Sequence, residues 1–272
     1  MNRILTTAVA CLCLVNVTRA EQAVPKYTAK QFYETTAVSG ASFSADESRI
    51  LFSSDATGIF NVYSIPVGGG TPTQLTNSKQ EAFRSVSFFP KDDRFLYTAD
   101  QGGNELSHLF VQETNGQARD LTPGDKTKAQ FVDWAGDLQS FYVLTNERDA
   151  RYFDLYQYQV DGYARKTIFQ NDGGFNVADV SRDGRWLAMS KVRNNSDSNV
   201  YVLDLRAAQP EPILVTPHEG QVFHTVATFT PDSRELYYKS NAGREFDALR
   251  SCPLAQAGQK SAEHAVVEQA AW

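Results

Sequence analysis

The stretch SRDGRWLAMS, residues 181–190, opens with polar residues suited to a tight turn and runs on into a short apolar segment. Asp can accept hydrogen bonds from backbone N–H groups two residues on, and Asp-Gly is a strong hairpin signal. The phrase recurs, altered, across the chain. FSADESRILFSS starts at Phe43, FFPKDDRFLYTA at Phe88, WAGDLQSFYVLT at Trp134, VSRDGRWLAMSK at Val180 and FTPDSRELYYKS at Phe229. Successive starts are 45, 46, 46 and 49 residues apart. Self-similarity at such a period marks a repeat architecture.

Each copy has one grammar. An apolar residue ends a strand, and a polar stretch with Asp46, Asp92, Asp137, Asp183 or Asp232 follows. Arg49, Arg94, Arg185 and Arg234 stand before the next strand in four copies, with Ser140 in the third. Then come unbroken apolar runs: ILF, FLY, FYVL, WLAM and LYY. A strand with one wet face alternates, whereas one covered on both faces reads as a continuous run. Third-strand candidates (IFNVYSI, SHLFVQE, FDLYQYQV, NVYVLDL, DALRSCPL) and short edge candidates (TPTQLT, ARDLT, KTIFQ, EPILVT, EHAVVEQ) complete each unit. Four short strands in about 45 residues match one propeller blade. A sandwich has no reason for the long period, and a helical solenoid needs a 3.6-residue apolar rhythm that is lacking. The expected fold is all-β: a β-propeller of about five four-stranded blades, near 39–80, 81–126, 127–173, 174–219 and 220–271, after an N-terminal segment 21–38.

Residues 1–20 read as a secretory signal peptide: Arg3, an uncharged apolar stretch ILTTAVACLCLVNV, and small Thr18 and Ala20 before Glu21. The apolar run is too short for a membrane span. A lipoprotein signal ending at Cys11 or Cys13 is the rival reading. The expected location is periplasmic or secreted. Past that segment only Cys252 remains, so no intrachain disulfide can form and stability must come from burial. Without Arg3 and Arg19 there are 24 basic against 32 acidic side chains, a net of −8. With no Lys/Arg run, this argues against a nucleic-acid surface.

The aromatic, Asp-turn, Arg and apolar-strand pattern resembles exported propellers of the TolB and WD40-like group. Longer stretches are more specific: GASFSADESRILFSSDATGIFNVYSIPVGGGTPTQLTNS, FFPKDDRFLYTADQGGNELSHLFV and TNERDARYFDLYQY. These resemble the propeller of bacterial prolyl oligopeptidase-family serine peptidases, relatives of dipeptidyl peptidase IV and acylaminoacyl peptidase. The resemblance covers roughly residues 27–272. It implies a propeller that caps an α/β-hydrolase domain and admits short peptides. The nucleophile of such a domain sits in a G-x-S-x-G elbow. The 272 residues hold no G-x-S-x-G, so no catalytic residue carries over. Trp272 lies 43 residues after Phe229, near where a sixth unit would open, and the resemblance implies more blades than five. An incomplete ring is therefore expected, with short peptides and a catalytic domain absent from this chain as partners. A stand-alone TolB-like binding module is the alternative. An enzyme using acidic loop residues at the central channel is a third, weaker reading.

The densest charged loop is TNERDARYFDLY, 145–156, where Glu147, Arg148, Asp149 and Arg151 precede an aromatic strand. A carboxylate there could hold a peptide amine, or an Arg a peptide carboxylate; mutual ion pairs on a solvated loop are the plain reading. His108, His218, His224 and His264 lack metal-ligand spacing, so neither metal nor cofactor is expected. The loops NNSDSN, 194–199, and QGGNELSH, 101–108, read as polar hairpin tips.

Overall fold

The computed structural model describes residues 25–259 and the backbone of 264–267; the expected signal peptide lies outside the described residues. The chain divides into two compact units, Met1–Thr36 and Ala37–Trp272. In the first, helix α1 (Ala29–Tyr33) is capped reciprocally: Gln31 N–H donates to the Thr28 hydroxyl, and Thr28 N–H to the Gln31 side chain.

The second unit is five four-stranded antiparallel sheets, each meandering from its inner to its outer strand. Sheet one is β1 (Val38–Phe43), β2 (Arg49–Ser54), β3 (Asn61–Pro66) and β4 (Thr73–Gln74). Sheet two is β5 (Arg84–Phe88), β6 (Phe95–Ala99), β7 (His108–Gln112) and β8 (Ala118–Asp120). Sheet three is β9 (Ala129–Trp134), β10 (Ser140–Asp149), β11 (Tyr152–Gln159) and β12 (Arg165–Phe169). Sheet four is β13 (Asn176–Val180), β14 (Trp186–Asn194), β15 (Asp197–Asp204) and β16 (Ile213–Leu214). Sheet five is β17 (His224–Phe229), β18 (Glu235–Ser240), β19 (Ala248–Pro253) and β20 (His264–Val267). Five four-stranded sheets are the expected fold, a propeller of about five blades. Each sheet packs on its sequence neighbours, and among the described residues the sheets form no closed ring.

The repeated phrase is the turn joining the first two strands of a sheet. The Asp46, Asp92, Asp137, Asp183 and Asp232 carboxylates each accept the backbone N–H two residues on, at 2.8–3.2 Å. A cross-turn bond closes every copy, from the N–H of Ser44, Phe89, Ala135, Ser181 or Thr230 to the carbonyl five residues later. That bond aligns the copies as the letters do, since its donor is the second residue of every quoted phrase. Counted from it, Asp92 sits one place later than the other four aspartates. Arg49 and Arg94 accept the closing bond, whereas Arg185 and Arg234 stand one place before it, so the four arginines are not equivalent. In the first, third, fourth and fifth copies the residue after Asp is left-handed: Glu47, Leu138, Gly184 and Ser233. Only the fourth copy places there the glycine that adopts this conformation without strain.

The apolar runs are buried as their continuity predicts. Leu51, Leu96, Val143, Leu187 and Leu236 on the second strands are fully buried, as are Val62, Leu109, Leu155 and Val202 on the third. Each contributes about 1.5–3 kcal/mol by leaving water. Every first strand carries a one-residue bulge against the second. Bulges bend a strand and sharpen its twist.

The turns of all sheets gather at one rim. There the Arg49 and Asp93 side chains pair, Arg94 donates to the Val160 carbonyl and the Tyr163 hydroxyl, and Asp183 N–H donates to Ser233 Oγ. The hairpins between second and third strands lie at the opposite rim, with the connectors between sheets. One such hairpin is shorter than expected: β14 and β15 leave only Asn195 and Ser196 as its tip, so Asp197, Ser198 and Asn199 of the NNSDSN stretch are buried strand.

Candidate functional site

At the hairpin rim, sheets three and four stand out. β10 and β11 have 10 and 8 residues, and β14 and β15 have 9 and 8, against five or six in the other sheets. The β10–β11 hairpin carries all four charged candidates. Its register slips between Thr145 and Asp149, so β10 uses two more residues than β11 over that interval. The slack lets Asn146 clamp the connector from sheet two: its side chain accepts Lys128 N–H at 2.6 Å, and its N–H donates to the Lys128 carbonyl.

The structure brings the four candidates to one hairpin end but sorts them into separate pairs. Glu147 turns toward β12 and meets Arg165 at 2.9 and 3.0 Å; Arg165 also donates to the Tyr158 hydroxyl. Arg148 folds back over Asp154, donating through Nε at 2.6 Å and Nη2 at 2.8 Å, and reaches Asp172 at 3.0 Å and the Asn171 carbonyl at 3.2 Å. Asp154 is fully buried and also accepts Asn171 N–H. Asp149 and Arg151 form a bidentate pair at the tip, where Arg151 is mostly exposed.

Electrostatics follow the pairing. Hydrogen bonding to Asp154 raises the Arg148 guanidinium further above its ordinary value. The Arg151 side chain and its N–H hold the Asp149 carboxyl well below the usual carboxylate range. Burial, then the hydrogen bond with Glu147, pushes the Tyr156 hydroxyl up to about 12. Arg148, Asp149 and Arg151 are thus held in their charged forms at neutral pH, and Tyr156 is a neutral donor.

Beside this hairpin, between sheets two and three, lies a cavity of about 360 Å³ walled by Val86, Ala129, Phe131 and Phe153, with Thr98, Ser107, Lys128 and Gln130 supplying polar groups. It is large enough for one or two amino-acid side chains, and Lys128 is the charged residue of its lining. None of these residues was singled out from sequence. Lys128 stands in a connector, and Phe131 and Phe153 fall inside strands, where an aromatic is the ordinary choice. Among the described residues no group of three or more His, Cys, Asp and Glu is placed to hold a metal ion, and no helix is long and apolar enough to cross a membrane. His108 is buried between the Asp120 carboxylate and the Gly124 carbonyl, a structural role.

Residues 72–271 match the N-terminal β-propeller domain of prolyl oligopeptidase. The chain belongs to that family. It is 28% identical over 202 residues to dipeptidyl aminopeptidase BIII of Pseudoxanthomonas mexicana, covering 73% of this chain and 29% of that protein. The propeller chain thus spans under a third of the length of that curated relative. Among solved structures it resembles a prolyl endopeptidase (TM-score 0.66, 15% identity, 87% of this chain and 37% of that one). It also resembles TolB of Acinetobacter baumannii (TM-score 0.51, 20% identity, 80% and 52%). At these identities the two likenesses bear on the fold alone.

Proposed function

We propose that this chain is the non-catalytic propeller portion of an exported serine peptidase, gating the access of short peptides to an α/β-hydrolase domain that these 272 residues do not include. The observation that carries this reading is the coincidence, on one rim, of a charged projecting hairpin with a mixed apolar and polar cavity. A short peptide needs both: charge for its termini and a recess for a side chain. Glu147 is the group for a peptide amine, Arg148 and Arg151 are those for a carboxylate, and the Phe131–Phe153 cavity takes the side chain. Hydrolysis belongs to the other domain, since no G-x-S-x-G is present here. Export rests on the signal-like residues 1–20.

The first test is the reading frame after codon 272. A continuation encoding G-x-S-x-G, then Asp and His, supports the peptidase; a stop codon supports a free-standing TolB-like binding module. The second is kinetic. In the complete enzyme, Glu147→Gln or Arg148→Met should lower kcat/KM on dipeptidyl anilides by roughly tenfold or more, the worth of one charge-assisted hydrogen bond. Unchanged kcat/KM in both variants removes the hairpin from substrate recognition.

A further inference from the structure

The seam between sheets four and five holds a set of buried polar groups that neither the turns nor the peptide site uses. It lies at the hairpin rim, where β15 meets the start of β17. Ser198 ties the two: its hydroxyl donates to the His224 carbonyl at 2.6 Å and accepts His224 N–H at 2.8 Å, and its N–H donates to the Val222 carbonyl at 3.0 Å. All of this is out of water, with Ser198 0% and His224 3% exposed.

His224 itself is poorly provided for. Neither ring nitrogen has a hydrogen-bond partner among the described residues, although unsatisfied buried polar atoms are uncommon in folded proteins. The groups facing it come from every element around the seam. Asp197 opens β15, with Arg193 of β14 3.7 Å from its Oδ2. His218, in the connector, lies with its ring centre 5.0 Å from that of His224. Tyr238 of β18 packs at 6.0 Å, and Arg250 of β19 is near enough to act on it electrostatically.

His218 is oriented by two neighbours. Its Nδ1 donates to the Thr216 carbonyl at 3.0 Å, which leaves Nε2 facing Asp197 Oδ1 at 3.4 Å. That contact is longer than a good hydrogen bond, so the His218 ring is held mainly through Nδ1. His224 thus lies beside a second imidazole and within electrostatic reach of Arg250, with no hydrogen-bond partner among the described residues for a proton of its own.

We propose that this seam is an acid-released latch, closed while His224 is neutral and opened when His224 takes a proton. Burial depresses the His224 imidazole to about 4, with His218 and Arg250 pushing the same way and Asp197 against them. The sign follows. Between the ordinary value of 6.5 and about 4 the open form binds a proton that the closed form does not, so closure is favoured above 6.5 and weakens as pH falls through that window. Each sheet of a repeat array is held by its neighbours alone, so one seam can yield while the rest stay folded.

The test is amide hydrogen exchange by mass spectrometry on the full chain at pH 7.0 and 4.5, corrected for intrinsic rates. Peptides carrying the Ser198 and His224 amides should lose protection by roughly 50-fold, while those of β6 and β10 keep theirs. His224→Phe, which fills the site without a titrating group, should abolish the loss. His218→Gln, which removes one of the groups that disfavour a proton on His224, should shrink it, and decides the matter if the first variant does not fold. Equal loss in all five sheets, or an undiminished seam loss in both variants, overturns the proposal.

Discussion

Gly136 shows at single-atom scale how closely the sheets meet. A Cβ built there would lie 2.1 Å from the Arg182 carbonyl oxygen and 3.0 Å from its carbonyl carbon, so the turn of sheet three rests directly on the backbone of the turn of sheet four. Backbone cannot step aside as the end of a side chain can. Gly136→Ala is therefore expected to cost at least 1–3 kcal/mol, roughly the usual penalty for overpacking, in urea unfolding. Gly68→Ala, where nothing lies within 4 Å of the added methyl, should change stability by less than about 0.5 kcal/mol. The aspartates of the turns were legible in the sequence because their partner is two residues away, and that bond is the same wherever the turn lies. Gly136 was not, because its reason is 46 residues distant in the next repeat. The same holds for the residues just before the copies' first aromatic or apolar position. The Ser42 and Ser87 hydroxyls meet at 3.2 Å, Trp134 Nε1–H donates to Ser87, and Asp179 accepts from Thr228 and Phe229 of the next sheet. Burial, with the charge of Asp133 adding to it, holds the Asp179 carboxyl above its ordinary value.

At the level of the element, the β10–β11 hairpin is stiffened by a buried charge. Asp154 is fully buried, and its partners are Arg148 and Asn171 N–H. Losing one member of such a pair strands the other away from water, whereas replacing both by apolar groups can be nearly neutral. Arg148→Met alone should lower Tm and speed exchange of the hairpin amides, and Arg148→Met/Asp154→Leu should recover most of the loss. A double variant no better than the single one would show that the pair does not hold the hairpin. This also bounds the candidate site. Arg148 is committed to structure as well as poised at the rim, so a kinetic defect in Arg148→Met is informative only beside the Glu147→Gln defect, whose ion pair with Arg165 is half-buried. The sequence marked the loop by its charge density, a correct guide to place. It could not assign partners, since Arg165, Asp172 and Asp154 lie on three different segments brought together by the sheet register.

Across the whole molecule, a period read from five phrases becomes five sheets in the expected order, each leaning on the next. The period was visible because every copy solves the same problem: a tight turn, then a strand buried on both faces. The boundary strands show what the neighbours supply. Val38 and Phe43 on β1 are 64% and 59% exposed, while Phe88 and Phe229, the residues corresponding to Phe43 in the second and fifth copies, are 3% and 7% exposed. The claim on which the functional account turns is that this propeller selects peptides by size for a domain beyond it. The most direct measurement compares the complete enzyme's kcat/KM on a dipeptidyl anilide with that on an unfolded polypeptide bearing the same N-terminal residues. The account predicts a preference for the short substrate of roughly a hundredfold or more, about 2.7 kcal/mol of discrimination. Equal turnover of the two would contradict it.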